Sequence, residues 1–156
     1  MTSLEDRLSA LEARTRLLED QLAIYQLLAA YGPAVDSLSG EAAAALWVED
    51  GTYEAGTYVF EGREALAGLV DIENHRTWVA KGCAHVVGMP LVAIDDDTAI
   101  ARGYSRVYLH EGDHWRIHRA SANRWELRRT PEGWRVTHRV NLLLDGDEAA
   151  RELLRG

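Results

Sequence analysis

Cys83 is the chain's one cysteine, so no disulfide can close within it. Such a chain suits a reducing compartment or is indifferent to redox state. Basic charge is also scarce, with 17 Lys and Arg against 25 Asp and Glu for a net charge of −8. A nucleic-acid binder presents a basic patch that releases counterions from phosphate, and this balance argues against that class. The arginines between Arg102 and Arg139 make the C-terminal half locally basic, but they interleave with strand formers and suit outward strand positions or buried pairs. No stretch approaches the ~18 continuous apolar residues of a membrane span. The opening MTSLEDRLSALEAR is charged throughout and has no apolar signal core. The expectation is a cytoplasmic protein that engages neither nucleic acid nor membrane.

Several catalytic signatures are missing as well. There is no Gly-rich phosphate loop, no serine elbow and no plausible cysteine nucleophile. His75, His85, His110, His114 and His118 show no tight ligand spacing, and His114 and His118 stand four apart in a strand context, not on a helix. Asp95-Asp96-Asp97 lacks the spacing and terminal glutamate of a calcium loop and suits a solvated turn. No metal and no cofactor are expected.

What is present suits one domain over residues 1–156. A chain of that length buries roughly two thirds of its unfolded surface, and 47% apolar with 27% charged residues is ordinary for a globular protein. The first helix can be capped by Thr2 or Ser3, with Glu5 or Asp6 three positions on. Leu4, Leu8, Leu11, Leu18, Leu22 and Tyr25 then recur in steps of four and three around a polar Thr15. That seam could pair with another chain; a helix lying on its own domain carries the same stripe and is the preferred reading, with residues 1–20 an N-terminal extension. The helix breaks or restarts at Tyr31-Gly32-Pro33. A second helix is expected over Glu41–Trp47, a strand over Thr52–Tyr58, and a third helix from Gly62 to about Val70, while Ile72–Gly82 stays open between loop and helical turn.

From His85 onward the pattern becomes strands: His85–Ile94, Ala99–His110, Trp115–Arg129 and Trp134–Leu144. They are separated by turns at Asp95–Asp97, Glu111–Asp113 and Pro131–Gly133. Helices followed by a meander of long antiparallel strands indicate an α+β fold with helices packed on one face of a sheet. Alternation puts Ser121, Asn123, Trp125 and Leu127 on one inward face. On the last strand Trp134, Val136, His138 and Val140 share a face opposite Arg135, Thr137, Arg139 and Asn141, so His138 is expected inward unless the register slips.

An ordered set of segments then resembles a known family. YGPAVD (Tyr31–Asp36), WVEDGT (Trp47–Thr52), GREAL (Gly62–Leu66), AHVV (Ala84–Val87), NRWEL (Asn123–Leu127) and GWRVTHRV (Gly133–Val140) are similar to the SnoaL-like branch of the nuclear transport factor 2-like superfamily. That branch includes polyketide cyclases, scytalone dehydratase and bile-acid dehydratase. The resemblance implies a cone-shaped α+β barrel, with a curved antiparallel sheet wrapped around N-terminal helices and an apolar pocket inside. It also implies that Asp36 and His85 meet in the cone as an acid–base pair; read without it, Asp36 fits a helix or turn cap and His85 a core histidine. Tyr31, Tyr53, His110, Asn123 and His138 are the expected substrate-binding residues, although His110 stands beside a turn where exposure is common.

The implied function is cofactor-independent dehydration, isomerisation or cyclisation (a lyase or isomerase) of a small apolar carbonyl-bearing molecule, polycyclic or steroid-like among the options. The alternative is a non-catalytic small-molecule-binding or assembly subunit resembling the β subunits of ring-hydroxylating dioxygenases. A homodimer or homotrimer is expected in either case.

Overall fold

A computed structural model describes residues 3–155 of the chain. Helix α1 spans Leu4–Ala29, α2 Tyr31–Asp36 and α3 Gly40–Ala44. Strands β1 (Trp47–Ala55) and β2 (Tyr58–Glu61) form a hairpin, followed by α4 (Gly62–Gly68), a 3₁₀ turn (Leu69–Asp71) and α5 (Glu73–Lys81). The rest is β3 (Cys83–Val87), β4 (Leu91–Asp95), β5 (Thr98–Glu111), β6 (His114–Thr130), β7 (Gly133–Leu143) and a closing helix α6 (Glu148–Leu154). The sheet runs β2-β1-β7-β6-β5-β3, with β4 pairing the other half of β5. Every described pairing is antiparallel except β1 with β7, which is parallel. The α+β class stands, and the wrapped sheet stays open, since β2 and β3 are edges and not partners.

The core lies between the helices and the concave sheet face. Ile24 and Leu28 of α1, Tyr31 and Val35 of α2 and Leu66 of α4 pack with Trp47, Trp125 and Val136 from the strands. Three aromatic rings meet there, with Tyr31 edge-on to Trp47 at 6.0 Å and to Trp125 at 5.8 Å between centroids. Ser3 caps α1 reciprocally with Asp6, at 3.0 Å in each direction; Thr2, the other expected cap, lies outside the described residues. Pro33 falls in the first turn of α2, where its missing N–H removes no helical bond.

Four expectations are corrected. The leucine seam of α1 does not lie on its own domain. Residues 3–19 are all exposed, and the docked stripe is Asp20, Ile24 and Leu28. The second helix ends at Ala44, because Trp47 is drawn into the core as the first residue of β1. The expected strand His85–Ile94 is two strands, interrupted at Gly88-Met89-Pro90. Pro90 cannot donate to a ladder, and it lies over Gly103 so closely that a Cβ there would come within 3.3 Å of the Pro90 Cα.

The fourth correction shapes the site. Glu126 pairs with His138 but Leu127 with Val136, so Thr137 is an extra residue in β7, its hydroxyl bonded to the Glu126 carbonyl at 3.1 Å. This bulge reverses the alternation. Trp134 and Val136 are buried before it and Arg139 and Asn141 after it, and His138 is turned outward.

Candidate active site

Asp36, the last residue of α2, reaches β3 because Gly32 lies one helical turn earlier on the same face. A Cβ on Gly32 would come within 2.1 Å of the His85 carbonyl oxygen, so only glycine lets the helix sit this close. The carboxylate then holds His85 twice. The His85 backbone N–H donates to Oδ2 at 2.7 Å, and Nδ1 lies 2.6 Å from Oδ1. An ionised carboxylate only accepts, so Nδ1 carries the proton and Nε2 is left as the basic atom of the ring. Asp36 therefore orients the imidazole and is placed to balance its charge if it takes a proton, and the ring lines a cavity inside the cone.

Behind His85 stands a second histidine. His75 of α5 is buried, with ring centroids 5.3 Å apart from those of His85. Its Nδ1 is 3.2 Å from the Val70 carbonyl oxygen, which marks Nδ1 as the donor, and its buried Nε2 has no partner among the described residues. Burial first, and the His85 ring in addition, pull its pKa below the ordinary histidine value despite the Val70 carbonyl, so it is neutral at pH 7. Ligating atoms of Asp36, His75 and His85 lie within 4.8 Å of one another. Both Asp36 oxygens accept a bond from His85, so the carboxylate serves first to hold that ring, while the Nε2 atoms of His75 and His85 are left without partners among the described residues. Cys83 lies 3.5 Å from His85 Nδ1, but burial and then the Asp36 charge push its thiol up to about 12, so it is no nucleophile at neutral pH.

The floor of the cone is built around Arg139. Its side chain is 1% exposed, and its guanidinium carbon lies 3.9 Å from the Trp125 ring centroid, 4.2 Å from that of Tyr31 and 4.3 Å from that of Tyr53. Nε and Nη2 donate to Asn123 Oδ1 at 3.1 and 2.8 Å, while the buried Nη1 has no partner among the described residues. No carboxylate pairs with this cation among the described residues. Asn141 donates to Asn123 Oδ1 at 2.9 Å and to Ser105 at 3.3 Å, and Asn123 Nδ2 donates to Ser105 at 2.8 Å. Burial, with Tyr53 adding to it, pushes the Tyr31 phenol well above its ordinary value, so it stays protonated as a donor.

The SnoaL-like domain family matches residues 16–140. The chain belongs to the SnoaL-like family. Its fold is that of a nuclear transport factor 2-like protein with a cystatin-like fold from Novosphingobium aromaticivorans, which is 48% identical over 100% of this chain and 99% of that one, with a TM-score of 0.92. A Mycobacterium tuberculosis protein of unknown function is similar at 24% identity and a TM-score of 0.74, over 90% of this chain and 87% of that one. A putative aromatic ring hydroxylase from N. aromaticivorans is 28% identical, with a TM-score of 0.62 over 81% and 90%. No curated protein matches the chain.

In this SnoaL-like cone the expected site residues separate into two groups. Asp36 and His85 are bonded to each other, and Tyr31 and Tyr53 line the same cavity with His85, Arg139 and Asn141. Asn123 is inward as its alternation implies, but its side chain is spent on Arg139, Asn141 and Ser105, which makes it a support for the floor. His110 is elsewhere. It lies against Trp115, 5.1 Å between centroids, in an outer cleft with Thr77 and Lys81. His138, on the far side of the Thr137 bulge, bonds Thr52 Oγ1 at 2.6 Å and faces Glu54, outside the cavity.

Arg139 and His75 were missed. Strict alternation put Arg139 outward, and only a reading of the bulge would have reversed it. His75 fell in the segment whose structure stayed open; the helical spacing of its neighbours Val79 and Trp78 was the available signal. The pocket is also less apolar than expected, because a buried arginine, two asparagines and two serines form its floor.

Proposed function

We propose that the chain is a cofactor-independent acid–base enzyme acting on a small carbonyl-bearing molecule, with dehydration of a β-hydroxy carbonyl compound as the favoured reaction. The observation that carries this reading is one imidazole held at both its backbone and its ring by Asp36, in a cavity whose other wall is formed by Arg139, Tyr31 and Tyr53. In the proposed step His85 Nε2 takes the proton α to the carbonyl. The electron pair moves into an enolate, whose oxygen is met by the Tyr31 or Tyr53 hydroxyl, with the Arg139 guanidinium stacked on both rings supplying positive charge. The enolate then expels the β-hydroxyl, which leaves as water with the proton carried by the imidazolium. Isomerisation would follow the same first step, with the proton returned to another carbon.

Size constrains the substrate. The cavity holds about 70 Å³, well under the ~300–1,000 Å³ of common ligand pockets. A compact substrate suits it, and a fused-ring or steroid-like one would require Trp78 and α5 to move outward. A second reading is favoured by the filled floor: Arg139 occupies much of the cone and Asn123 is fully satisfied, as in a binding or assembly module.

The test is a panel of small β-hydroxy ketones and esters, followed by the ultraviolet absorbance of the enone product. Wild type should generate enone from at least one member, and His85→Gln should lose it. Binding without turnover would favour the module, and turnover at the same rate after the substitution would remove His85 from the reaction.

A further inference from the structure

We propose that residues 4–25 of α1 form a parallel two-stranded coiled coil with the same segment of a second copy of this chain. The seam falls at positions 4, 8, 11, 15, 18, 22 and 25, an unbroken alternation of four and three that makes Leu4, Leu11, Leu18 and Tyr25 d positions and Leu8, Thr15 and Leu22 a positions. The segment is helical throughout, begins at a reciprocal cap, and is about 33 Å long at ~1.5 Å per residue. Its leucines are open to water, Leu4 at 80%, Leu8 at 56%, Leu11 at 57%, Leu18 at 65% and Leu22 at 58%. Isolated exposed leucines are unremarkable, but five in one helical line form an apolar strip interrupted at Thr15.

The seam is not the face that α1 uses to dock on its own domain. Asp20 and Ile24 lie two residues beyond Leu18 and Leu22, about 200° around the helix at ~3.6 residues per turn. Asp20 is gripped there by Arg129 through two bonds, at 2.6 and 2.7 Å. One side of α1 is therefore fixed to the domain, and the opposite side, the leucine line, is free for a partner.

The flanking charges name that partner and its direction. All three e positions are glutamate from the first heptad to the third (Glu5, Glu12, Glu19), and the g positions are Arg7, Arg14 and then Gln21. In a parallel pair each g residue meets the e residue five positions on in the other helix. Arg7 then faces Glu12 of the partner, Arg14 faces Glu19 of the partner, and Gln21 faces Gln26 of the partner. An antiparallel pair would set glutamate against glutamate and arginine against arginine. The sequence is self-complementary in one orientation only, and Thr15 adds a polar a layer of the kind that fixes register. This inference is independent of the catalytic reading, since none of these residues reaches the cone cavity.

Light scattering of the full chain at micromolar concentration should give twice the 17.4 kDa chain mass. The double variant Leu11→Glu, Leu18→Glu should be monomeric with an unchanged circular dichroism spectrum, because both side chains are exposed on the monomer. Arg14→Glu should weaken the dimer roughly tenfold, and adding Glu19→Arg should restore it. Leu18→Cys should cross-link to its own counterpart on mild oxidation, with wild type, whose Cys83 is partly buried, as the control. A monomeric wild type, a dimer that survives Leu11→Glu, Leu18→Glu (one held by the outer sheet face instead), or failure of Leu18→Cys to cross-link within a persisting dimer would each overturn the proposal.

Discussion

Arg129, near the end of β6, and Arg139, inside β7, both rest a guanidinium on aromatic rings, yet their partners differ. Arg129 lies 4.6 Å from the Trp134 ring centroid and is held by Asp20 through two bonds and by Asp97 through one. Those carboxylates raise its pKa further, while Arg129 in turn holds the Asp20 carboxyl below the usual carboxylate range. Arg139 lies against three rings and its hydrogen bonds go only to an amide oxygen, with the buried Nη1 lacking a partner among the described residues. The first charge is consumed in fastening α1 to the sheet. The second is kept buried without a counter-charge, which folding alone disfavours. Aromatic faces and Asn123 offset part of that cost, and the remainder is consistent with a site that meets an anionic oxygen.

The largest effect is expected behind His85, which shares the cavity wall with Arg139. Asp36→Asn should lower turnover by about 10²–10⁴-fold, with a stability loss of only ~1 kcal/mol for the bond weakened at the His85 backbone. Arg139→Met should lower turnover by about 10²–10³-fold, while stability stays within ~2 kcal/mol of wild type because an uncompensated cation is removed with its contacts. Matched chemical denaturation and rate measurements separate the two readouts. A large stability loss with unchanged rate would show Arg139 to be structural like Arg129.

Asp20→Ala should behave in the opposite way. It should cost about 2 kcal/mol, less than a fully buried pair because the Arg129 side chain stays 34% exposed, and leave the rate per folded molecule unchanged. Since the folded pKa of Asp20 is depressed, its contribution is present above the ordinary carboxylate pKa of ~4 and is lost as pH falls through the folded value. The stability gap between wild type and Asp20→Ala should therefore narrow in acid, and a gap independent of pH would contradict the ion-pair account. The smallest effect is expected at His138→Gln: about 1 kcal/mol from its bond to Thr52, with turnover unchanged.

Much of this was legible from residues. Ser121, Asn123, Trp125 and Leu127 are inward as period-two alternation requires. The meeting of Asp36 and His85 was implied only by the family resemblance, since the residues alone fit a cap and a core histidine. The Gly32 contact that brings the two together depends on how α2 packs on β3. The parallel pairing of β1 with β7 and the bulge at Thr137 were not legible, because both depend on which strands become neighbours. The bulge moved two residues at once, placing Arg139 in the cone and His138 outside it. The α1 seam was misjudged for a related reason. An apolar stripe does not say which face of a helix docks on its own domain, and here the docked residues are Asp20, Ile24 and Leu28, which lie off the stripe.

Solvent deuterium incorporation tests the central claim most directly. Small ketones are incubated with the protein in deuterated water and followed by proton nuclear magnetic resonance at the carbon next to the carbonyl. The account predicts enzyme-dependent exchange with at least one compact ketone, reduced to background by His85→Gln and strongly reduced by Arg139→Met. Exchange that persists unchanged in both variants, or no exchange above background with any ketone that binds, would contradict it.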